Sequence, residues 1–400
     1  MIYVIPHQKF KTAVCCALLR QPLNKETATA NAVISQILGQ GCAKYPATTQ
    51  LESVLENLYG AIFDCQIVKK GEQQIIQFYF EGLEQLFLQG CELINEIMCN
   101  PLIVNNGFSP VYTSNGLFQT SSGITGRINN KGEYSRLRCI ERMCENELFG
   151  IYADGYLEDL RRLNPNNLLA HYNSVLQTAS LDVFCICDTH SETEIRQYFD
   201  SNLSDLSKTV NDKFIPPASV VYSEQDYKIY SENFDSTQGK ICMGFRCNAN
   251  PASDDFFSLL LFNELFGGAG ASKLFTRIRE QESLCYYINS VYYRMKSIIL
   301  VQSGVAHENF DKVAELTNQV AHDIYDGRFT REEFESAKAG LIKRFISLQD
   351  YHSALLEFYT TQYMLGDMNT PDDVLRRISA LTPEDARRVP MYLDTVFTLK

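Results

Sequence analysis

The chain has 400 residues, 45% of them hydrophobic and 21% charged, a folded composition too long for one ordinary core, so at least two domains are expected. A formal net charge of -12 leaves no basic excess to neutralise phosphates, which argues against a nucleic-acid partner. No apolar run approaches a membrane span, and the opening MIYVIPHQKFK lacks a charged segment followed by an apolar one, so neither a membrane partner nor a signal peptide is expected.

Thirteen cysteines are too many to ignore and odd in number. Cys15, Cys16, Cys185, Cys187, Cys242 and Cys285 lie in apolar runs, where free thiols act as small hydrophobes. A reducing cytoplasm fits this usage. Cys185 and Cys187 would face the same side of a strand, but no companion pair completes a metal site.

In chain order, period-2 runs predict strands and 3.6-period runs predict helices. A strand at Ala13–Leu19 leads to a helix at Thr27–Leu38 that ends at Gly39-Gln40-Gly41. A short helix at Leu51–Leu58 follows, then strands Ile62–Val68 and Gln74–Phe80 about the turn Lys70-Gly71-Glu72, then a helix at Leu83–Cys99 stopped by Pro101. A long helix is expected at Arg136–Leu148 and a closing strand at Asp182–Cys187. Between Asn211 and Ser223, Pro216 and Pro217 break the pattern.

The second half repeats the order. Strand Lys240–Cys247, helix Asp254–Leu265, Gly267-Gly268, short helix Ser272–Glu282, strands Cys285–Tyr293 and Ile298–Val305, and helix Asn309–Tyr325 come in turn. A long helix at Arg331–Tyr363, opened by the capping box Thr330/Glu333, and a strand at Asp394–Leu399 complete it. The fold class is therefore α+β: two homologous domains, 1–210 and 224–400, joined by a linker at 211–223, each an antiparallel-rich sheet covered by helices.

The segment GGAGASKLFTRIREQESLCY, Gly267 to Tyr286, with Ser290 beyond it, resembles the C-terminal-domain signature of the pitrilysin, insulinase and mitochondrial-processing-peptidase family. Lys9-Phe10-Lys11-Thr12, Gly41, Tyr45-Pro46 and Leu58-Tyr59-Gly60-Ala61 resemble its YfmF-like bacterial members. The resemblance runs from about residue 8 to the C-terminus and implies one half of a clamshell.

Active members carry H-x-x-E-H on the first helix, two histidines and a distant glutamate holding zinc while the inner glutamate activates water. The corresponding positions here are Ala32, Ser35 and Gln36, none a useful zinc ligand. No Asp or Glu occurs between Ile97 and Gly132, where the distant glutamate would fall. The six histidines are His7, His171, His190, His307, His322 and His352, none at helical ligand spacing. No cofactor is expected on this chain, and a metal site assembled from distant residues is left to the fold.

The resemblance implies that Arg279 and Tyr286 reach substrate. An arginine offers a rigid donor fork to peptide carbonyls, and a tyrosine hydroxyl can donate to a developing oxyanion. Without the resemblance, Arg279 among Arg277, Glu280 and Glu282 reads as a solvated helix residue, and Tyr286 beside Tyr287 as a packing aromatic. Gly267, Gly268 and Gly270 read equally as a helix cap or as a loop on the substrate path. Ser121-Ser122-Gly123 has no His or Asp to serve it as a nucleophile, and Gly267 to Gly270 lacks the lysine of a phosphate loop.

The leading expectation is a non-catalytic subunit of a heterodimeric zinc endopeptidase in peptide maturation or processing. A homologous partner would bear the zinc. A peptide-binding or assembly scaffold, and an independent enzyme with a rebuilt metal site, remain the alternatives.

Overall fold

The computed structural model describes residues 1–203, 227–234 and 238–400, so the linker expected at 211–223 lies outside the described residues. The chain divides into two compact units. One comprises Met1–Gly126 with Ile151–Lys213, the other Arg127–Gly150 with Phe214–Lys400.

In the first unit, β1 (Ile2–Pro6) and β2 (Thr12–Pro22) lead to α1 (Lys25–Leu38) and α2 (Thr48–Asn57). Then come β3 (Ile62–Lys70), β4 (Gln73–Leu83), α3 (Phe87–Cys99) and α4 (Pro110–Gly126). The chain forms α5 (Lys131–Met143) in the other unit and returns as α6 (Pro165–Thr178), β5 (Ser180–Cys187) and α7 (Glu192–Leu203). The sheet order is β1-β5-β2-β4-β3, with β1 and β5 parallel and the remaining pairs antiparallel. Strand β2 lies at the middle of the sheet and is buried from Ala13 to Arg20, which is why it reads as a continuous apolar run. Arg20 survives there because its Nε meets Asp182 of β5 at 2.6 Å. Val33, Ile34 and Ile37 of α1 join Phe78, Phe80, Phe87 and Tyr172 in the core.

The second unit contains β6 (Lys228–Glu232), β7 (Gly239–Cys247), α8 (Asp255–Asn263), β8 (Cys285–Tyr293) and β9 (Ile298–Val305). It continues with α9 (Phe310–Tyr325), α10 (Arg331–Leu348), α11 (His352–Met364), α12 (Pro371–Ala380) and β10 (Met391–Leu399). Its sheet order is β6-β10-β7-β9-β8, with β6 and β10 parallel. In both sheets the strands of the unit run first, last, second, fourth, third. The repetition expected from the order of elements therefore extends to strand pairing, and each sheet is antiparallel-rich with helical cover.

Three expectations are corrected. The span 1–210 is not one continuous body, because Arg127–Gly150 belongs to the second unit. Cys139, Ile140 and Met143 of α5 share a core with Cys242, Leu300 and Phe397. The segment is also tied by charge: Arg246 Nη2 reaches Glu147 at 2.6 Å and the Met143 carbonyl at 2.6 Å, and Lys296 pairs with Glu147. Second, the helix expected at Arg331–Tyr363 is two helices, since the chain turns at Gln349–Tyr351 and lets Phe345 and Phe358 meet edge to face, 6.3 Å between centroids. Third, α8 and the next helix widen into π-turns at Glu264–Gly268 and Phe275–Gln281, where regular helices were expected.

Candidate functional site

Helix α1 starts on the Asn24 side chain, which accepts from the Glu26 N–H, and packs along α4. The contact is close because of Gly116: a Cβ there would lie 3.1 Å from both Ile37 Cγ1 and the Val33 carbonyl. The three positions aligned with the zinc motif sit on this helix. Ala32 is buried, Ser35 is buried and donates to the Ala32 carbonyl at 2.9 Å, and Gln36 is half-buried. Amides join the end of α1 to α4: Gln40 Nε2 donates to the Gln36 and Tyr112 carbonyls, and Gln40 Oε1 accepts from Asn115 Nδ2.

No acid stands on α4 to serve as a third ligand. His171, on α6, meets Asn31 Oδ1 at 2.8 Å, and burial holds its pKa below the ordinary value, which favours neutral imidazole in a structural bond. Among the described residues, no group of three or more His, Cys, Asp or Glu is arranged to hold a metal.

In the second unit, the candidate residues lie between α8 and β8. Gly267 closes the first π-turn against β8, where a Cβ would stand 2.8 Å from Ser290 N and Oγ. Ser290 Oγ in turn donates to Asn263 Oδ1 at 2.8 Å. Gly268 is equally confined, with Asn263 Nδ2 at 2.8 Å from its would-be Cβ. Both glycines thus have a packing reason, whereas Gly270 has no atom within 4 Å of that position. Glu264 in the same turn is buried and accepts from Arg344 Nη2 at 2.6 Å; burial raises its pKa, and Arg344 offsets only part of that.

The second π-turn carries Arg279. Its end is tight: Ser283 adopts φ 53°, and the Leu284 N–H donates back to the Ile278 carbonyl at 3.0 Å before β8 begins. Arg279 is exposed, its guanidinium 4.6 Å from the Phe275 ring centroid, and it forms no ion pair or hydrogen bond with a described residue. Tyr286 lies at an irregularity in register between Cys285 and Ile288 on the edge strand. Its side chain is 81% exposed and its hydroxyl has no partner among the described residues. Its neighbour Tyr287 behaves differently, lying beneath Lys240 Nζ at 5.2 Å and giving its carbonyl to Ser303 Oγ. Phe275, the platform for Arg279, had no role assigned from the sequence; its i, i+4 spacing from Arg279 is the signal for it.

The Peptidase M16 inactive domain family matches residues 162–341. Over 414 aligned residues the chain is 28% identical to the probable inactive metalloprotease YmfF of Bacillus subtilis (strain 168), covering 100% of this chain and 95% of that protein. The chain is similar to the M16 peptidase family. An uncharacterized zinc protease of the same organism, YmxG, is 21% identical over 164 residues, 40% of each chain. Among solved structures, a conserved protein from Enterococcus faecalis V583 superposes with TM-score 0.88 at 24% identity, covering 100% of this chain and 96% of that one. A peptidase M16 inactive domain from Pseudomonas fluorescens gives 0.78 at 15%, over 100% and 95% of the two chains. The likeness is to proteins described as inactive, and this chain has Ala32, Ser35 and Gln36 at the positions aligned with the zinc motif. No described helix is long and apolar enough to cross a membrane.

Proposed function

We propose that this protein is the non-catalytic subunit of a heterodimeric zinc endopeptidase that matures or processes peptides in the cytoplasm. A homologous partner subunit supplies the zinc and its activated water. This chain binds the peptide and presents Arg279 to its carbonyls and Tyr286 to the oxyanion, with the loop through Gly267, Gly268 and Gly270 beside the peptide. One observation carries the reading: Arg279 and Tyr286 are exposed, and their polar groups form no hydrogen bond or ion pair with a described residue, on a chain whose zinc-motif positions are Ala32, Ser35 and Gln36. A guanidinium resting on an aromatic ring is held ready for a ligand at little entropic cost.

The test is reconstitution with a zinc-bearing homologue. Peptide cleavage by the complex is expected to fall on Arg279→Ala or Tyr286→Phe, while the amount of complex stays constant. Unchanged cleavage by both variants would sink the shared site. A second reading draws on β8 as the edge strand among the described residues, where an extended peptide can add as a strand without any part in catalysis. Full-rate cleavage by the partner alone would favour that scaffold role.

A further inference from the structure

Next to the π-turn that carries Arg279, the second unit holds a cavity of about 260 Å3. Its walls include Lys273, Thr276 and Arg277 from that turn and its approach, Gln319 of α9, and Arg328 and Glu333 at the passage from α9 to α10. Arg279 does not line it. At about 30 Å3 per water, the space accommodates a small ligand with part of its hydration.

Each acid of the cavity is paired with one of its cations. Glu333 accepts from Lys273 Nζ at 2.9 and 3.1 Å and from the Thr330 N–H at 2.7 Å, and these donors outweigh burial and hold its pKa below the ordinary value. Asp323 pairs with Arg328 Nε at 3.1 Å. The donors are not exhausted. A guanidinium carries five N–H groups and an ammonium three. Arg277 engages Gln281 Oε1 at 3.1 Å and Glu282 at 3.5 Å, and Arg328 engages Asp323 and Asp326, which leaves N–H groups on both. The Thr276 hydroxyl and the Gln319 amide make no hydrogen bond to a described residue. A cavity whose two carboxylates are each paired with one of its cations, and whose cations keep spare N–H groups, is suited to an oxygen anion, which takes several N–H groups at once.

We propose that this cavity binds a small oxyanion through Arg277, Arg328 and Lys273. The shared chemistry is a carboxylate or phosphate group, arriving as a free anion or as the C-terminal carboxylate of a peptide. The proposal stands on the cavity alone and is independent of the partner-subunit reading.

The full chain is titrated calorimetrically with sodium phosphate at fixed ionic strength, and separately with a short peptide bearing a free or an amidated C-terminus. Saturable binding of phosphate, or of the free-acid peptide over its amide, is expected. The Arg277→Gln/Arg328→Gln variant should bind at least tenfold more weakly, and Arg277→Lys should lose less. Arg376→Gln, at an exposed arginine outside the cavity, should bind as the parent does. Phosphate binding alone identifies a free anion as the ligand, and carboxylate-dependent peptide binding identifies the peptide end. No saturable binding of any probe, or equal binding by a folded double variant, overturns the site.

Discussion

Replacing Gly267 with alanine is expected to destabilise the second unit by about 2 kcal/mol. The new Cβ would stand 2.8 Å from Ser290 N and Oγ and 2.9 Å from Ser290 Cβ. Ordinary contact needs about 3.5 Å, so the turn and the strand must separate by roughly 0.7 Å. Ser290 has little freedom to yield: it is paired with Val301 in the sheet, and its hydroxyl is held by Asn263. Overpacking of this kind costs about 1–3 kcal/mol, and a weakened hydrogen bond adds up to about 1 kcal/mol. Alanine recovers up to about 1 kcal/mol through helix propensity. The assay is urea denaturation followed by circular dichroism and tyrosine fluorescence, the chain having no Trp. The midpoint for this unit should fall at unchanged slope, with Tm lower by about 4–8 °C. Gly270→Ala, in open space, is the control and should stay within about 0.5 kcal/mol of the parent. If the two variants prove equally stable, the close approach of the turn to β8 is refuted.

Glu147→Gln should cost about 3 kcal/mol in denaturant titration, because Arg246 and Lys296 are buried and both pair with its carboxylate. Burial works to raise the Glu147 pKa, but Arg246 and Lys296 outweigh it and hold it below the ordinary 4.5. Its contribution is therefore present above pH 4.5 and lost as pH falls below it, and the glutamine variant should show a flatter acid limb in stability against pH. Arg344→Ala should destabilise by about 3 kcal/mol near pH 8 by leaving the buried Glu264 carboxylate unpaired. Glu264 has a raised pKa, so stability linked to its protonation is present at low pH and lost as pH rises through the folded value; the deficit should shrink towards pH 5. In the reconstituted complex, Tyr286→Phe should lower kcat/KM by about 100-fold or more with folding unchanged, read by peptide cleavage and circular dichroism.

Much of the fold is legible because burial leaves a periodic trace. The strand expected at Cys285–Tyr293 and its partner at Ile298–Val305 have those bounds in the structure. The expected N-cap at Thr330 is in place, its hydroxyl accepting from the Glu333 N–H at 3.1 Å. Strands β1 and β6 escaped the sequence reading: each is five residues long and pairs in parallel with the last strand of its unit, a partner far along the chain. The docking of α5 escaped it too, since the stripe Cys139, Ile140 and Met143 states that a helix is buried on one side and not which sheet buries it.

The candidate site divides along the same line. Metal ligation demands particular residue types at particular spacings, so Ala32, Ser35 and Gln36, with no acid between Ile97 and Gly132, are decisive in one dimension. Exposure and partnership are properties of three dimensions. Tyr286 and Tyr287 are adjacent and alike in sequence, yet one projects with an unengaged hydroxyl while the other lies under Lys240. Gly267, Gly268 and Gly270 form one small-residue run, yet the first two are pressed against Ser290, Asn263 and Glu264 while the third faces open space. The sequence determined that the H-x-x-E-H motif is missing from this chain, because absent side chains need no geometry. The tertiary structure decided which of the retained side chains are unengaged, because that depends on neighbours brought together only by folding.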